Sequence, residues 1–276
     1  MPERRAFVKP PDDVLRAFGA SEPLEHLKGG QGQVFRSDDL ILKPAKDDEQ
    51  TNWIAGFYAS AQCEGFRLPQ PICSGDGRYV VDGWQAWEFV DGEHRSDNWE
   101  ETVRLCLRFH EAIADIPRSK WFDRMPLDNP WSIADKVAWN ELEIEHHPTI
   151  TPVTERLRRC FRENDSPSQL IHGDFGGNVL FSDELPPAII DLSPYWRPAG
   201  FAVGVVVADA IVWEGADFSL IEAVAKLIDN FNQHLARAEL RRIIELDVAH
   251  RLWGWDVLGE LDDHLPLITR IGELCG

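Results

Sequence analysis

Three oxygen-bearing side chains in one short stretch define the chemistry open to this chain. The segment Leu170-Ile171-His172-Gly173-Asp174-Phe175-Gly176-Gly177-Asn178-Val179-Leu180-Phe181 is followed by Ile189-Ile190-Asp191. A carboxylate such as Asp174 can orient an attacking hydroxyl and accept its proton. The amide oxygen of Asn178 and the carboxylate of Asp191 are hard donors of the kind Mg2+ takes, usually one or two from side chains. Phosphoryl transfer needs this set: a base for the acceptor, and a divalent cation bridging the charged β and γ oxygens of a nucleoside triphosphate.

For these groups to act together, the chain around them must fold back on itself. A loop ending one short strand presents Asp174, the start of a second strand presents Asn178, and the end of its partner presents Asp191. The chain between Asp174 and Asp191 is long enough for one β-hairpin. Two regions flank this segment. In the first ninety residues apolar alternation and turn signals predominate. Strands are predicted around Leu27, Val34–Arg36 and Leu40–Lys43, with a tight turn at Asp38-Asp39, and further strands over 71–75, 78–83 and 84–91. Helices are predicted over 11–20 and 48–62. From Asp97, with Glu100 three residues on as a capping box, the helical period takes over. Helices are expected over 131–145, 152–163, 200–213, 218–233 and 237–258, with Leu220, Val224, Leu227 and Phe231 as one apolar stripe.

Composition narrows the partners. The 276 residues carry a formal net charge of -19, with 43% hydrophobic and 27% charged residues. A globular core is feasible, whereas binding to nucleic acid or an anionic membrane, which needs a basic face, is not expected. The acidic balance is compatible with a cationic small-molecule acceptor. Five cysteines without a C-x-x-C pair suggest neither a disulfide framework nor a zinc site. The start MPERRAFVKPPDD lacks the apolar core of a secretory signal, so a cytoplasmic location is expected.

His172-Gly173-Asp174, Asn178 and Ile190-Asp191 together resemble the catalytic loop and metal-binding aspartate of the aminoglycoside phosphotransferase-like kinases, relatives of the protein kinases. Asn129-Pro130-Trp131 and Tyr195-Trp196-Arg197-Pro198 resemble an actinobacterial group of that family with no assigned substrate. The resemblance spans nearly the whole chain and implies an α+β, bilobal protein-kinase-like fold. Residues 1–91 would form an N-lobe of antiparallel sheet plus one main helix, and residues 92–276 a mainly helical C-lobe. It also implies the cofactors ATP and Mg2+, with Asp174 as catalytic base and Asn178 and Asp191 on the metal. Gly29, Gly30 and Gly32 resemble the hairpin that covers the nucleotide, and Lys43 the lysine on its α/β phosphates. Glu49 is the candidate partner of that lysine, or else a first-turn acid that stabilises the N-terminus of its helix. Glu88 and Val90 would meet adenine through their backbone. His172 would brace the loop, and Asp209, an acid in an apolar helix, would bond the loop's backbone.

Two departures from the family pattern stand out. Only Phe175, Gly176 and Gly177 separate Asp174 from Asn178, one residue fewer than is usual, and the two glycines are expected to let the backbone take an unusual path. Phe35 stands where a third glycine of the nucleotide hairpin would be. A protein kinase is disfavoured, because Leu192-Ser193 follows Asp191 and no Ala-Pro-Glu follows. The alternative to an enzyme is a catalytically silent nucleotide-binding scaffold, which the short loop favours. Trp131, Trp139, Trp196, Trp253 and Trp255 could wall an acceptor pocket. The acids Glu141, Glu143, Glu145, Asp256, Glu260, Asp262 and Asp263 could bind a cation there.

Overall fold

The computed structural model describes residues 8–27, 33–61, 64–162, 166–254 and 259–276. Its residues group into two compact units. Of the described residues, one unit holds those from 8 to 94 together with 179–191; the other holds those of 95–178 and 192–276. The hairpin 179–191 thus belongs with the N-terminal sheet, although in sequence it lies between helices of the second unit.

The first unit is built on a five-stranded antiparallel sheet. Its strands are β1 (Glu25–Leu27), β2 (Val34–Ser37), β3 (Leu40–Pro44), β4 (Pro71–Ile72) and β5 (Trp84–Glu88), in the order β1-β2-β3-β5-β4. Alternation decides the faces: Phe35, Leu42 and Ala86 are buried and pack with Val14, Leu15 and Phe18 of α1 (Asp12–Phe18). The turn into β3 uses Asp38 at φ 51°, a left-handed position that a short polar side chain tolerates. Helix α2 (Asp48–Ser60) starts at Asp47, whose carboxylate accepts the Gln50 N–H at 2.7 Å.

The strand expected over 78–83 does not form. The Ser74 hydroxyl binds both the carboxylate of Asp76 and the backbone of Arg78, and this turn commits the backbone that a strand would have used. Val81 then meets Trp84 across the tight Asp82-Gly83 turn.

Strands β7 (Val179–Leu180) and β8 (Ala188–Ile189) pair antiparallel. They join the first unit through backbone bonds. The Arg67 N–H donates to Pro187, the Ile189 N–H donates to Arg67, and Glu93 and Phe181 exchange both of theirs at 2.8 Å. Gly92, at φ 149°, lies so close that an added Cβ would sit 2.9 Å from Leu180 Cβ.

In the second unit, α8 (Phe231–Trp253) is the central element. It packs against α4 (Pro130–Ala138), α5 (Thr151–Arg158), α6 (Ala199–Trp213) and α9 (Leu261–Cys275). Helix α6 is apolar almost throughout, which suits a core helix. At Gly204 its backbone comes so near α8 that a Cβ would lie 2.7 Å from the His234 carbonyl oxygen. The helix expected over 218–233 is instead α7 (Ser219–Val224), a linker, and the first turn of α8. Asn230, left-handed at φ 57°, stands at the break just before α8, and Leu227 of the expected stripe is 54% exposed. Helix α3 (Trp99–Ala112) packs on α6 and on β6 (Gln169–His172), which pairs with β9 (Pro194–Arg197). Among the described residues no helix is long and apolar enough to cross a membrane.

Candidate active site

The loop carrying Asp174 is held from several sides within the second unit. The Gly173 N–H donates to the Ser193 carbonyl at 2.8 Å, which draws the loop onto the start of β9. Gly173 then passes over the Tyr195 ring, where a Cβ would lie 2.3 Å from a ring carbon, so the position excludes any side chain. His172 is fully buried, and its Nδ1 accepts the Asp174 N–H at 3.2 Å. The His172 N–H in turn donates to His110 Nε2 at 3.0 Å, and His110 Nδ1 donates to the Cys106 carbonyl at 2.7 Å. With one ring nitrogen accepting and the other donating, His110 is fixed as a neutral tautomer. Burial, the largest influence, lowers its pKa to about 3. Both histidines brace the loop; neither is exposed to move a proton to a substrate.

The expected unusual path of the two glycines is not taken. Gly176 and Gly177 have ordinary φ, and Gly176–Asn178 form a single 3-10 turn. That turn suffices to close the short loop. The Asn178 Nδ2 donates to the Asp174 carbonyl at 2.6 Å and lies 3.4 Å from Asp174 Oδ2. With its NH2 so engaged, the amide presents its oxygen as the end available to a cation. Asp174 itself keeps a side chain 50% exposed.

Sequence reasoning missed two residues of this site. Arg241 Nη1 donates to the Gly173 carbonyl at 2.9 Å and its Nη2 to the Tyr195 hydroxyl at 3.2 Å. Arg242 Nε and Nη2 form a fork onto Asp209, at 2.8 and 2.5 Å. Arg242 Nη2 also stands 3.4 Å from Asp174 Oδ1, and Nη1 donates to Glu245 at 2.8 Å. Glu245 sits 2.7 Å from Arg241 Nε as well, close enough for an ion pair but without hydrogen-bond alignment. Asp209 therefore does not bond the loop backbone as expected; the fork of Arg242 takes its carboxylate, and Arg241 takes the loop carbonyl. Burial raises the pKa of Asp209 to about 6, a rise that Arg242 offsets only in part. Burial also pulls on Arg242, but Asp209 and Glu245 outweigh it and hold the guanidinium charged. One signal pointed here: Leu235, Ala236, Ala238, Leu240, Ile243 and Ile244 leave α8 no polar face, so charges within it must be paired.

The other residues expected from the sequence to act lie in the first unit. Lys43 Nζ, from β3, stands 2.5 Å from Asp191 Oδ1, just beyond β8, with the Trp87 ring 5.6 Å away. Asp191 adopts φ 50°, and its side chain is 49% exposed. The carboxylate facing Lys43 is thus that of Asp191 and not that of Glu49. Glu49 lies exposed in the first turn of α2, too few residues past Lys43 for the chain to turn it back, and there a carboxylate suits the helix N-terminus. Glu88 ends β5, where its N–H donates to Gln70 and its carboxylate accepts the Gln70 N–H at 3.2 Å. The Phe89 N–H donates to Asp39, and half-buried Val90 follows outside the ladder. Gly29, Gly30 and Gly32 lie outside the described residues, as do Trp255 and Asp256.

Several residues considered for the acceptor have structural work. Trp139 lies beneath Arg237 and Arg197 and against Phe201; Trp196 packs on Phe122. Glu141 is bound by Arg197 and Lys136, and its pKa is lowered to about 2 because these two outweigh its burial. Trp131 and Trp253 meet edge to face at 5.4 Å. An open cleft of about 740 Å³ lies among Asp217, Phe218, Glu222, Asp262, Leu265 and Arg270, and none of Lys43, Asp174, Asn178 or Asp191 lines it. Among the described residues no three His, Cys, Asp or Glu side chains cluster as a metal site.

Residues 24–195, more than half of the chain, match the family described as the phosphotransferase enzyme family, APH. The chain belongs to that family. No curated protein matches it. Solved structures of family type share its fold. An aminoglycoside phosphotransferase from Alicyclobacillus acidocaldarius subsp. acidocaldarius DSM 446 superposes with a TM-score of 0.64 at 13% identity, covering 99% of this chain and 98% of its own. Spectinomycin phosphotransferase in its AMP-bound complex gives 0.60 at 13% identity over 94% and 96% of the two chains. A choline/ethanolamine kinase family protein from Mesorhizobium loti gives 0.59 at 14% identity, over 92% and 89%. At these identities the likeness establishes the α+β kinase-like fold; family membership establishes a phosphotransferase.

Proposed function

We propose that this phosphotransferase is an ATP-dependent small-molecule kinase, moving the γ-phosphoryl group to an acceptor hydroxyl. One observation carries the reading: the Lys43 ammonium set 2.5 Å from the Asp191 carboxylate, partly exposed, from positions far apart in sequence. A paired lysine and aspartate facing solvent contribute little stability, about 0–1 kcal/mol, so stability does not account for them. Phosphate oxygens would draw the ammonium and a divalent cation the carboxylate.

The donor set fits magnesium. Asp191 already faces a positive charge, and the engaged NH2 of Asn178 leaves a hard amide oxygen. Bound there, magnesium would supply charge neutralisation of the triphosphate. The chain's own residues account for the rest. Lys43 would bind the α/β phosphates, and the backbone around Val90 would meet adenine. Asp174 would align the acceptor hydroxyl and take its proton. The new O–P bond would form as the bond from the γ-phosphorus to the β–γ bridging oxygen breaks, leaving ADP. Positioning and charge supply most of the rate gain in such reactions. The short loop does not favour a silent scaffold, since Asn178 reaches Asp174 across it.

The acceptor is best sought first among the molecules for which the similar structures are named: spectinomycin, an aminoglycoside, choline and ethanolamine. The net charge of -19 is compatible with a cationic one. ADP release with Mg-ATP should be followed for the parent chain, Asp174→Ala and Asp191→Ala across this panel. Both variants should lose turnover by about 10²–10⁴-fold, with the fold kept, because both side chains are about half exposed. Full turnover in either variant would refute the assignment.

A further inference from the structure

We infer that Arg242 is a positioning residue for the transfer, aiming the Asp174 carboxylate at the acceptor through a fork locked onto Asp209; this rests on the proposed reaction and adds a residue to it. The argument begins with the donors of one guanidinium, five N–H groups in a fixed plane. Arg242 directs Nε and one Nη2 proton to Asp209 and one Nη1 proton to Glu245. The second Nη2 proton faces Asp174 Oδ1 at 3.4 Å. The other oxygen of Asp174 faces the Asn178 Nδ2, also at 3.4 Å. Donors on both oxygens fix the plane of the carboxylate, although its side chain is half exposed.

The anchor itself cannot drift. Arg242 is buried to within 8% of full burial, and Asp209 and Glu245 show 14% and 11% of their side chains. Glu245 also faces Arg241, which holds the preceding carbonyl, that of Gly173. Consecutive residues of α8 therefore hold consecutive residues of the loop. Two cations meet three carboxylates, and Asp174 alone among these carboxylates is open to solvent. A buried pair of this kind is costly to assemble and is weak evidence of a gain in stability. Its use lies in direction: a misplacement of about 1 Å at a reacting group can cost about 10²-fold in rate. Lysine has no fork, and cannot hold Asp209 with two bonds while facing Asp174.

The test compares Arg242→Lys, Arg242→Gln and Asp209→Asn with the parent and with Asp174→Asn. ADP formation from Mg-ATP is measured with and without the acceptor panel, and AMP-PNP binding counts competent sites. Per binding site, kcat should fall about 10²-fold in Arg242→Gln and less in Arg242→Lys, with the KM for ATP within about twofold. Millimolar methylguanidinium should restore part of the kcat of Arg242→Gln. Should Arg242 variants not fold, Asp209→Asn, nearly isosteric, loosens the fork and should lower kcat about tenfold at unchanged ATP affinity. A parental kcat per site in the variants that bind AMP-PNP, even with fewer such sites, would mean a purely structural arginine and overturn the inference. Full turnover in Asp174→Asn would instead sink the kinase reading.

Discussion

The two candidate aspartates differ in how their units hold them. Asp174 is backed by a buried scaffold: a histidine takes its N–H, a glycine lies flat on a tyrosine ring, and consecutive arginines face the loop. Asp191 stands just beyond a two-residue strand, its side chain half exposed, with the Lys43 ammonium beside it. The difference separates geometry that the folded chain fixes in advance from geometry that a ligand must rearrange. Under the proposed reaction a base has to be aimed before the acceptor arrives, and supports in the core would do this. A lysine and a carboxylate that would serve phosphate and metal have to exchange each other for those partners, so a tight buried pair would hinder them.

The comparison is broken most directly at Gly173. Alanine there would place Cβ 2.3 Å from Tyr195, and either the ring or the loop must yield. Overpacking of this kind costs about 1–3 kcal/mol, and the shifted loop would lose the Arg241 bond to its carbonyl. We expect Gly173→Ala to lower the chemical-unfolding stability by that amount and kcat by about 10²-fold. Asp191→Ala should lose turnover with an unfolding change below about 1 kcal/mol, as befits an exposed pair. Equal stability losses in the two variants would erase the proposed difference.

How much of this was legible in the sequence follows the same divide. His172-Gly173-Asp174, Asn178 and Asp191 are local signals, and the order of sheet followed by helices came from periodicity and turn residues. The five-stranded sheet and the 3-10 closure of the loop agree with what those residues can form. The supports of Asp174 were harder to read, because Arg241 and Arg242 lie about seventy positions beyond the loop, and nothing local to either segment says that they meet. Glu49 could be read as the partner of Lys43 or as a first-turn acid of its helix; it takes the second place, and the carboxylate beside Lys43 is that of Asp191, distant in sequence. The break at Asn230 was missed because a left-handed asparagine leaves no mark on an apolar period.

An intermediate effect is expected from pH, because the support of Asp174 includes titratable groups. His110, beneath β6, has a pKa lowered to about 3 by burial, and His234, against α6, one lowered to about 4, again chiefly by burial. In the unfolded chain both take up protons near 6.5, so their contribution is complete above that pH and is lost as pH falls below it. Each contributes a slope of about 1.4 kcal/mol per pH unit. Asp209 acts in the opposite sense. Its folded value, raised to about 6, lies above the ordinary 3.8, so between those limits the folded chain holds the extra proton and acidification adds stability. Two histidines against one carboxylate leave a net loss of about 1.4 kcal/mol per unit through pH 5. His264, raised by its bond to buried Glu239 against the effect of burial, contributes below 6.5 and loses that contribution as pH rises through its folded value. Denaturant unfolding from pH 4.5 to 8 should show a maximum near 6.5, and amide exchange on acidification should rise first at β6. Stability that is flat or increasing from pH 6.5 to 5 would contradict the neutral, buried state of His110.

The smallest effect is expected at Glu49, and it tests the other side of the comparison. If Asp191 is the carboxylate that keeps Lys43 in place, Glu49→Gln changes neither the lysine's partner nor the net charge beside it. Glutamine is nearly isosteric and the site is exposed, so stability should move by less than about 0.5 kcal/mol. The value of kcat/KM for ATP should stay within about twofold, whereas Lys43→Met should lower it by orders of magnitude, because an ammonium on the phosphates is lost. A fall of more than tenfold in Glu49→Gln would show that Lys43 changes partner when the nucleotide enters. In that case the first unit would hold its lysine by a switch between two carboxylates, and Asp191 would be released to the metal by that exchange.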